Sequence, residues 1–184
     1  MVAPGRRSSD RDRNDRPTPQ LKARAAAGTL VFLVLVPGTV AGLIPWLLTG
    51  WEGRDPWPPL RVVGIALIVA GVGVLLPAFL RFVVEGVGTP APVAPTQQLV
   101  VGGLYRYVRN PMYLAVAATI VGQALVLGQP VLLAYAAVFG VAVFAFVRWY
   151  EEPTLLRQFG DQYEEYQRAV PGWWPRLRPW RTRS

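Results

Sequence analysis

The chain has 184 residues, 52% of them apolar, and 19 Lys and Arg against 11 Asp and Glu, a formal charge of +8. It contains no Cys and no His, which removes disulfides, thiolate nucleophiles, imidazole bases and Cys/His metal centres, and with them the usual parts of most hydrolases and redox enzymes. The charge alone fits a nucleic-acid-binding protein, but the apolar residues are gathered into uncharged blocks that a water-facing fold does not carry, so no nucleic-acid partner is expected.

Residues 1–24 are rich in Arg, Asp, Pro and Ser and read as a disordered, basic, cytoplasmic tail. Three uncharged blocks follow: 27 residues between Arg24 and Glu52, 19 between Arg61 and Arg81, and 38 between Arg109 and Arg148. A bilayer core of roughly 30 Å takes about 20 helical residues to cross, so the first two blocks, within 25–81, are one span each and the third is two. Gly128-Gln129-Pro130 divides the third block as a tight turn, which leaves its two helices short enough to borrow interfacial residues at their ends. Pro37, Pro45 and Pro77 are placed to kink the first and second spans. The first apolar block is too long for the apolar region of a signal peptide.

Basic residues fix the expected orientation. Seven Lys or Arg precede the first span, three lie from Arg81 to Arg109, and seven Arg lie from Arg148 onward, whereas the Gly128 turn has none. Four spans with both termini and the central loop in the cytoplasm satisfy this bias at every loop. The expected fold is therefore all-α: a polytopic membrane protein of about four transmembrane helices with a cytoplasmic amphipathic helix after them. Residues 82–184 form the C-terminal region, which holds the central loop, the hairpin and the amphipathic helix.

Within that region, Gly86 to Pro95 is a Pro/Gly-rich connector without the spacing of a phosphate loop. Arg109-Asn110-Pro111 is a helix start: Asn suits the N-cap and Pro the first helical position, and the exposed backbone donors with Arg109 beside them attract a carboxylate or phosphate. Tyr105, Tyr107 and Tyr113 surround it, either as walls for a planar ligand or as an interfacial aromatic belt. Glu151 and Glu152 follow the fourth span, where the helix dipole disfavours acids. A hairpin turning at Gly128 returns them to Arg109 and Asn110. Two readings stand for this pair: a partner for a bound cation or ribose diol, or a cap for a helix starting at Pro153 with surface pairing to Arg148 or Arg157. Phe159, Tyr163, Tyr166 and Val170 recur at steps of four, three and four, the pattern of an amphipathic helix lying along the interface. Trp173, Trp174 and Trp180 read as interfacial anchors or a lid edge. Without Cys or His, the chemistry left is that of a cofactor or substrate which the protein binds and orients, and methyl transfer from a sulfonium donor is of this kind.

These motifs, Gly103-Leu-Tyr-Arg-Tyr-Val-Arg-Asn-Pro-Met-Tyr113, Glu151-Glu152 and Phe159-Gly-Asp-Gln-Tyr-Glu-Glu-Tyr166 leading to Val170-Pro171, resemble the isoprenylcysteine carboxyl methyltransferase family and its phospholipid methyltransferase relatives. The resemblance spans about 88–175. It implies a membrane enzyme that holds S-adenosylmethionine at the cytoplasmic edge of the bilayer and takes a lipophilic acceptor from the membrane side. Carried over by position, cofactor contacts fall on Gln98, Leu99, Val100, Tyr105, Asn110, Pro111, Met112, Tyr113, Glu151 and Glu152, and Arg148 or Arg109 would hold an acceptor carboxylate; no metal is implied. The family's commoner form has His at the position of Asn110, which here keeps a hydrogen-bonding side chain without a titrating one. Its acceptor-positioning Arg aligns with Val147, and a shift of one residue to Arg148 turns a side chain by about 100° around a helix. Carboxyl O-methylation of an isoprenoid-linked acceptor, N-methylation of a phospholipid, and a scaffold or transporter subunit without activity are the functions to separate.

Overall fold

The computed structural model describes residues 35–84 and 99–181, with the side chains of all of these except 79–84. The basic tail, the connector at 86–95 and Gln98 lie outside the described residues. The described chain is all-helical: α1 (Leu35–Thr49), α2 (Pro58–Val84), a 3-10 turn (Gly103–Arg106), α3 (Pro111–Leu127), α4 (Pro130–Phe146), a π-helical turn (Val147–Glu151), α5 (Glu152–Phe159) and α6 (Asp161–Ala169).

Two stretches, Pro58–Ala78 and Pro130–Phe159, are long and apolar enough to cross a membrane, while α1 and α3 are apolar and shorter. Only 11% of the most apolar window in each long stretch is buried inside the protein. A core helix of a water-soluble fold would be mostly buried, so these faces, with Val62, Val69, Val138 and Val141 exposed, match an apolar surrounding.

Helices α2 and α3 pack through glycine. A Cβ on Gly64 would stand 2.6 Å from the carbonyl oxygen of Gly122, and one on Gly122 would stand 2.7 Å from that of Gly64. Seven residues along α2, a Cβ on Gly71 would meet the Thr119 hydroxyl and lie 2.7 Å from the Ala115 carbonyl oxygen. Where lipid removes the hydrophobic drive between helices, small residues bring backbones into van der Waals contact and supply the attraction instead.

Pro45 lies within α1. Having no N–H, it leaves carbonyls one turn earlier without a helical donor, and a π-helical turn at Thr39–Leu43 occupies that place. The Val40 oxygen accepts from the Tyr135 hydroxyl at 2.8 Å and the Ala41 oxygen from Gln123 Nε2 at 2.7 Å, so α4 and α3 satisfy the backbone that proline released. At the other end of the hairpin, Gly128 closes α3 in the left-handed conformation. The 50–57 loop lies on this turn, with Arg54 N–H donating to the Leu127 oxygen at 2.8 Å and Gln129 Nε2 to the Glu52 oxygen at 2.9 Å.

Three expectations are corrected. The stripe of Phe159, Tyr163, Tyr166 and Val170 is not carried by one helix: Phe159 ends α5 and α6 begins at Asp161, because Gly160 takes φ 51 and ψ −128, a backbone conformation open to glycine and strained for other residues. Their apolar stripe does not face outward along an interface: Tyr163, Tyr166 and Val170 are buried in a core with Ala78, Val100 and Tyr105. Glu152 does not cap a new helix at Pro153, since the chain from α4 through the π turn into α5 keeps right-handed helical dihedrals at its junctions.

Candidate functional site

At the start of α3, Asn110 has φ −116 and ψ 51 and occupies the N-cap position, but its side chain makes no capping bond. The backbone is held from outside the helix instead. Residues 170–180 run as a strap across 106–110: Arg109 N–H donates to the Pro171 oxygen at 3.0 Å, Asn110 N–H to the Gly172 oxygen at 3.3 Å, Arg176 N–H to the Tyr107 oxygen at 3.0 Å and Trp180 N–H to the Arg106 oxygen at 2.9 Å. Under this strap Asn110 is only 6% exposed, and its Nδ2 has no hydrogen-bond partner among the described residues. A buried donor left unmade costs about 1–3 kcal/mol, which makes it a place where an additional acceptor is stabilising.

Arg109 is the clip of the site. Its Nε donates to the Val170 oxygen at 3.0 Å, and its Nη1 to Glu152 Oε1 at 2.7 Å and to the Tyr163 hydroxyl at 3.0 Å. One guanidinium therefore joins the start of α3 to α5, α6 and the strap. The side chains of Arg109 and Glu152 are 13% and 14% exposed, so the pair is poorly hydrated and must stay together. With these bonds made, Arg109 Nε and Nη1 are engaged inside the protein.

Glu151 reaches the same end of α3 from the π turn. Its Oε2 accepts from the Tyr113 hydroxyl at 2.9 Å. A π turn takes in one residue more than an α turn. It brings adjacent glutamates to residues four apart at the start of α3, Glu151 to Tyr113 in the first turn and Glu152 to Arg109 just before the helix. Glu152 is an internal partner, while Glu151 keeps acceptor capacity beyond its single tyrosine bond.

Tyr105 stands beside both groups. Its phenol is raised well above its ordinary pKa, first by burial and then by Tyr166, Glu151 and Tyr113. Burial likewise raises Tyr163, against the opposing effect of Arg109, and Tyr166. Tyr166 donates its hydroxyl to the Tyr105 oxygen at 2.7 Å, and its ring lies 5.5 Å from that of Trp180. Leu99 and Met112 pack against this core and Val100 belongs to it. Pro111 is buried at the first turn.

The structure thus brings Arg109, Asn110, Tyr113, Glu151 and Glu152 to one end of the hairpin, with Tyr105 beside them. Arg148 stays at the rim, its side chain 66% exposed and Nη1 3.9 Å from Glu152 Oε2. Tyr107 faces a different cleft, with Arg106. Trp173 packs on Phe144 at 5.9 Å while Trp174 is exposed, so the tryptophans divide between packing and surface. Sequence reasoning missed the strap contacts of Val170, Pro171 and Gly172; the signal available was Val170-Pro171-Gly172 itself, a Pro-Gly stop directly after a helical pattern. No group of three or more acids that could hold a metal ion occurs among the described residues.

In chemical terms the arrangement offers a buried amide donor, a carboxylate with a free face, and aromatic walls beneath a backbone strap. Those are the complements of a ligand carrying an anionic group, a cationic group or diol, and a flat ring. Comparison with known proteins adds one finding: a family model described as phospholipid methyltransferase matches residues 60–162, more than half of the chain. No curated protein and no solved structure matches significantly.

Proposed function

The chain belongs to the phospholipid methyltransferase family, a family of membrane methyltransferases, and from that premise we propose that it transfers a methyl group from S-adenosylmethionine to a lipophilic acceptor at the membrane face. We read all four apolar helices as crossings, with the Asn110 and Glu151 end on the cytoplasmic side, in accord with the basic residues gathered there. The observation that carries the reading is the pairing of opposite demands at one end of α3: the unpartnered Asn110 Nδ2 and the carboxylate of Glu151.

The residues fit the donor molecule. Asn110 Nδ2 would donate to its carboxylate or a ring nitrogen, Glu151 would accept from its ammonium or ribose diol, and Tyr105 and Tyr113 would border it, with Pro111 and Met112 at the same helix start. The strap backbone and the Arg109–Glu152 clip keep water from this end of α3, which strengthens each of these contacts. The donor supplies an electrophilic methyl group that leaves with loss of the sulfonium charge, so a carboxylate acceptor needs alignment and no base.

Carboxyl O-methylation is the reading we place first, with exposed Arg148 at the rim as the acceptor's partner. Phospholipid N-methylation is the second, favoured by the description of the matched family. Membranes incubated with the protein and radiolabelled donor decide: label released by mild alkali as volatile methanol supports methyl esters, label that stays in a non-volatile head group supports N-methylation. Absence of label, with no thermal shift on adding donor or S-adenosylhomocysteine, leaves only a scaffold.

A further inference from the structure

Arg106 and Tyr107 lie apart from the groups above. They line a cavity of about 350 Å³ together with Leu104 of the 3-10 turn, Pro77 and Ala78 of α2, and Pro179 of the strap. Arg106 is held from behind: its Nε donates to the Trp180 oxygen at 2.6 Å while its own backbone oxygen accepts from Trp180 N–H at 2.9 Å. Fixing Nε orients the planar guanidinium, and neither terminal nitrogen has a partner among the described residues. Arg109, three residues on, has its Nε and Nη1 bonded inside the protein. The opposite wall of the cavity belongs to α2, whose neighbouring Val72 and Leu76 are exposed and apolar.

We propose that this cleft binds a phosphate-bearing amphiphile, an anionic phospholipid of the surrounding leaflet, with its phosphate on the open edge of Arg106 beside Tyr107 and its acyl chains along α2. An oriented guanidinium suits a phosphate because two parallel N–H donors match two of its oxygens, and an apolar helix beside it suits the chains. The site is separate from the methyl-transfer hollow: Tyr105 of the same four-residue turn faces the Tyr166 core, and Arg106 faces away into the cleft. The inference rests on α2 as a membrane span and not on the donor or the reaction, so it survives if methyl transfer does not.

The test uses the full chain in nanodiscs of phosphatidylcholine with a minor share of phosphatidylglycerol, and counts the lipids that stay bound after transfer to detergent by native mass spectrometry. Wild type should retain phosphatidylglycerol above its share in the disc. R106Q should lower that retention about fivefold, whereas R178Q, a change at an exposed strap arginine, should leave it unaltered. L104W, which fills the cavity without touching charge, should lower it as R106Q does and stands in if R106Q does not fold. Equal retention by wild type, R106Q and L104W overturns the site, and an equal loss in R178Q overturns it in favour of diffuse electrostatics. Displacement of the lipid by millimolar inorganic phosphate overturns the lipid as its occupant.

Discussion

Helix α3 meets its neighbours in two different ways. Against α2 it is packed backbone to backbone, through Gly122 on Gly64 and Ala115 on Gly71, with no charged group at these contacts. At its first turn it is held by polar contacts: an ion pair, a tyrosine to carboxylate bond, a backbone strap and one amide nitrogen left over. The first surface is complete in itself. The second has an unfilled demand, and a ligand can fill only what the fold leaves open, so stability and binding should separate along this one helix.

The sharpest break in that division is expected at Arg109, which belongs to the site end and yet serves stability. R109A leaves the poorly hydrated Glu152 carboxylate with Arg148, 3.9 Å away, as its nearest cation, and should cost about 3 kcal/mol in thermal unfolding followed by tryptophan fluorescence in detergent. Replacing both partners with leucine should recover most of the loss, since it removes the stranded charge as well. A melting curve for R109A like that of wild type would show that the clip is not what holds the strap down.

On the other surface, G122L forces a side chain into space where a Cβ already lies 2.7 Å from the Gly64 oxygen, at a cost of about 1–3 kcal/mol. G140L on α4, where a Cβ meets nothing within 4 Å, should be neutral or gain up to about 1 kcal/mol from the loss of a glycine inside a helix. Equal effects of the two would mean that the seam is looser than these contacts require.

Glu151 and Glu152 sharpen the comparison, being adjacent in the chain and opposite in role. E151Q should weaken S-adenosylmethionine binding about tenfold, or 1.4 kcal/mol, in a calorimetric titration, and leave the melting temperature near that of wild type. E152Q should lower the melting temperature through its loss to Arg109. Should both act on stability alone, Glu151 is not a ligand group.

How far the sequence anticipates this arrangement depends on whether a feature is local. Uncharged runs, the Gly128 turn and the Asn110-Pro111 helix start are written in consecutive residues, and the chain has a turn and a helix start at these positions. The meeting of Arg109 and Asn110 with Glu151 and Glu152 follows from equal helix lengths on either side of that turn, 17 residues each. The π turn could not be read, because Val147-Arg-Trp-Tyr-Glu151 has nothing in its composition that separates hydrogen bonds closing over five residues from bonds closing over four. Nor could the strap, whose bonds to 106–109 cross 61 to 74 residues of sequence. The tyrosine stripe of α6 has the right period, but period tells which face is apolar and not whether lipid or protein covers it. Gln123 and Tyr135 are half-buried polar exceptions inside an apolar block, and the sequence does not say that they meet the backbone carbonyls beside Pro45.

The smallest expected effect distinguishes the two surfaces by pH. Tyr105, Tyr163 and Tyr166 are all raised by burial above the ordinary phenol value of about 10. The folded state therefore prefers the neutral phenols, and the unfolded chain ionises first: their contribution to stability is whole below pH about 10 and is lost as pH rises through the range between the unfolded and folded values. The glycine contacts between α2 and α3 carry no titrating group and have no such dependence. Alkaline titration should then show tyrosinate absorbance from these phenols only together with unfolding, and hydrogen exchange should report loss of protection in α6 and the strap before α2 and α3. Y166F removes one of the three and also the 2.7 Å bond to the Tyr105 oxygen, so it should lower stability by about 1 kcal/mol at neutral pH and make the alkaline decline shallower. Full ionisation of these phenols in the folded protein would mean that burial does not hold them neutral, and simultaneous loss of protection in α2 would mean that the polar end and the glycine seam unfold as a single unit and that the division drawn along α3 does not exist.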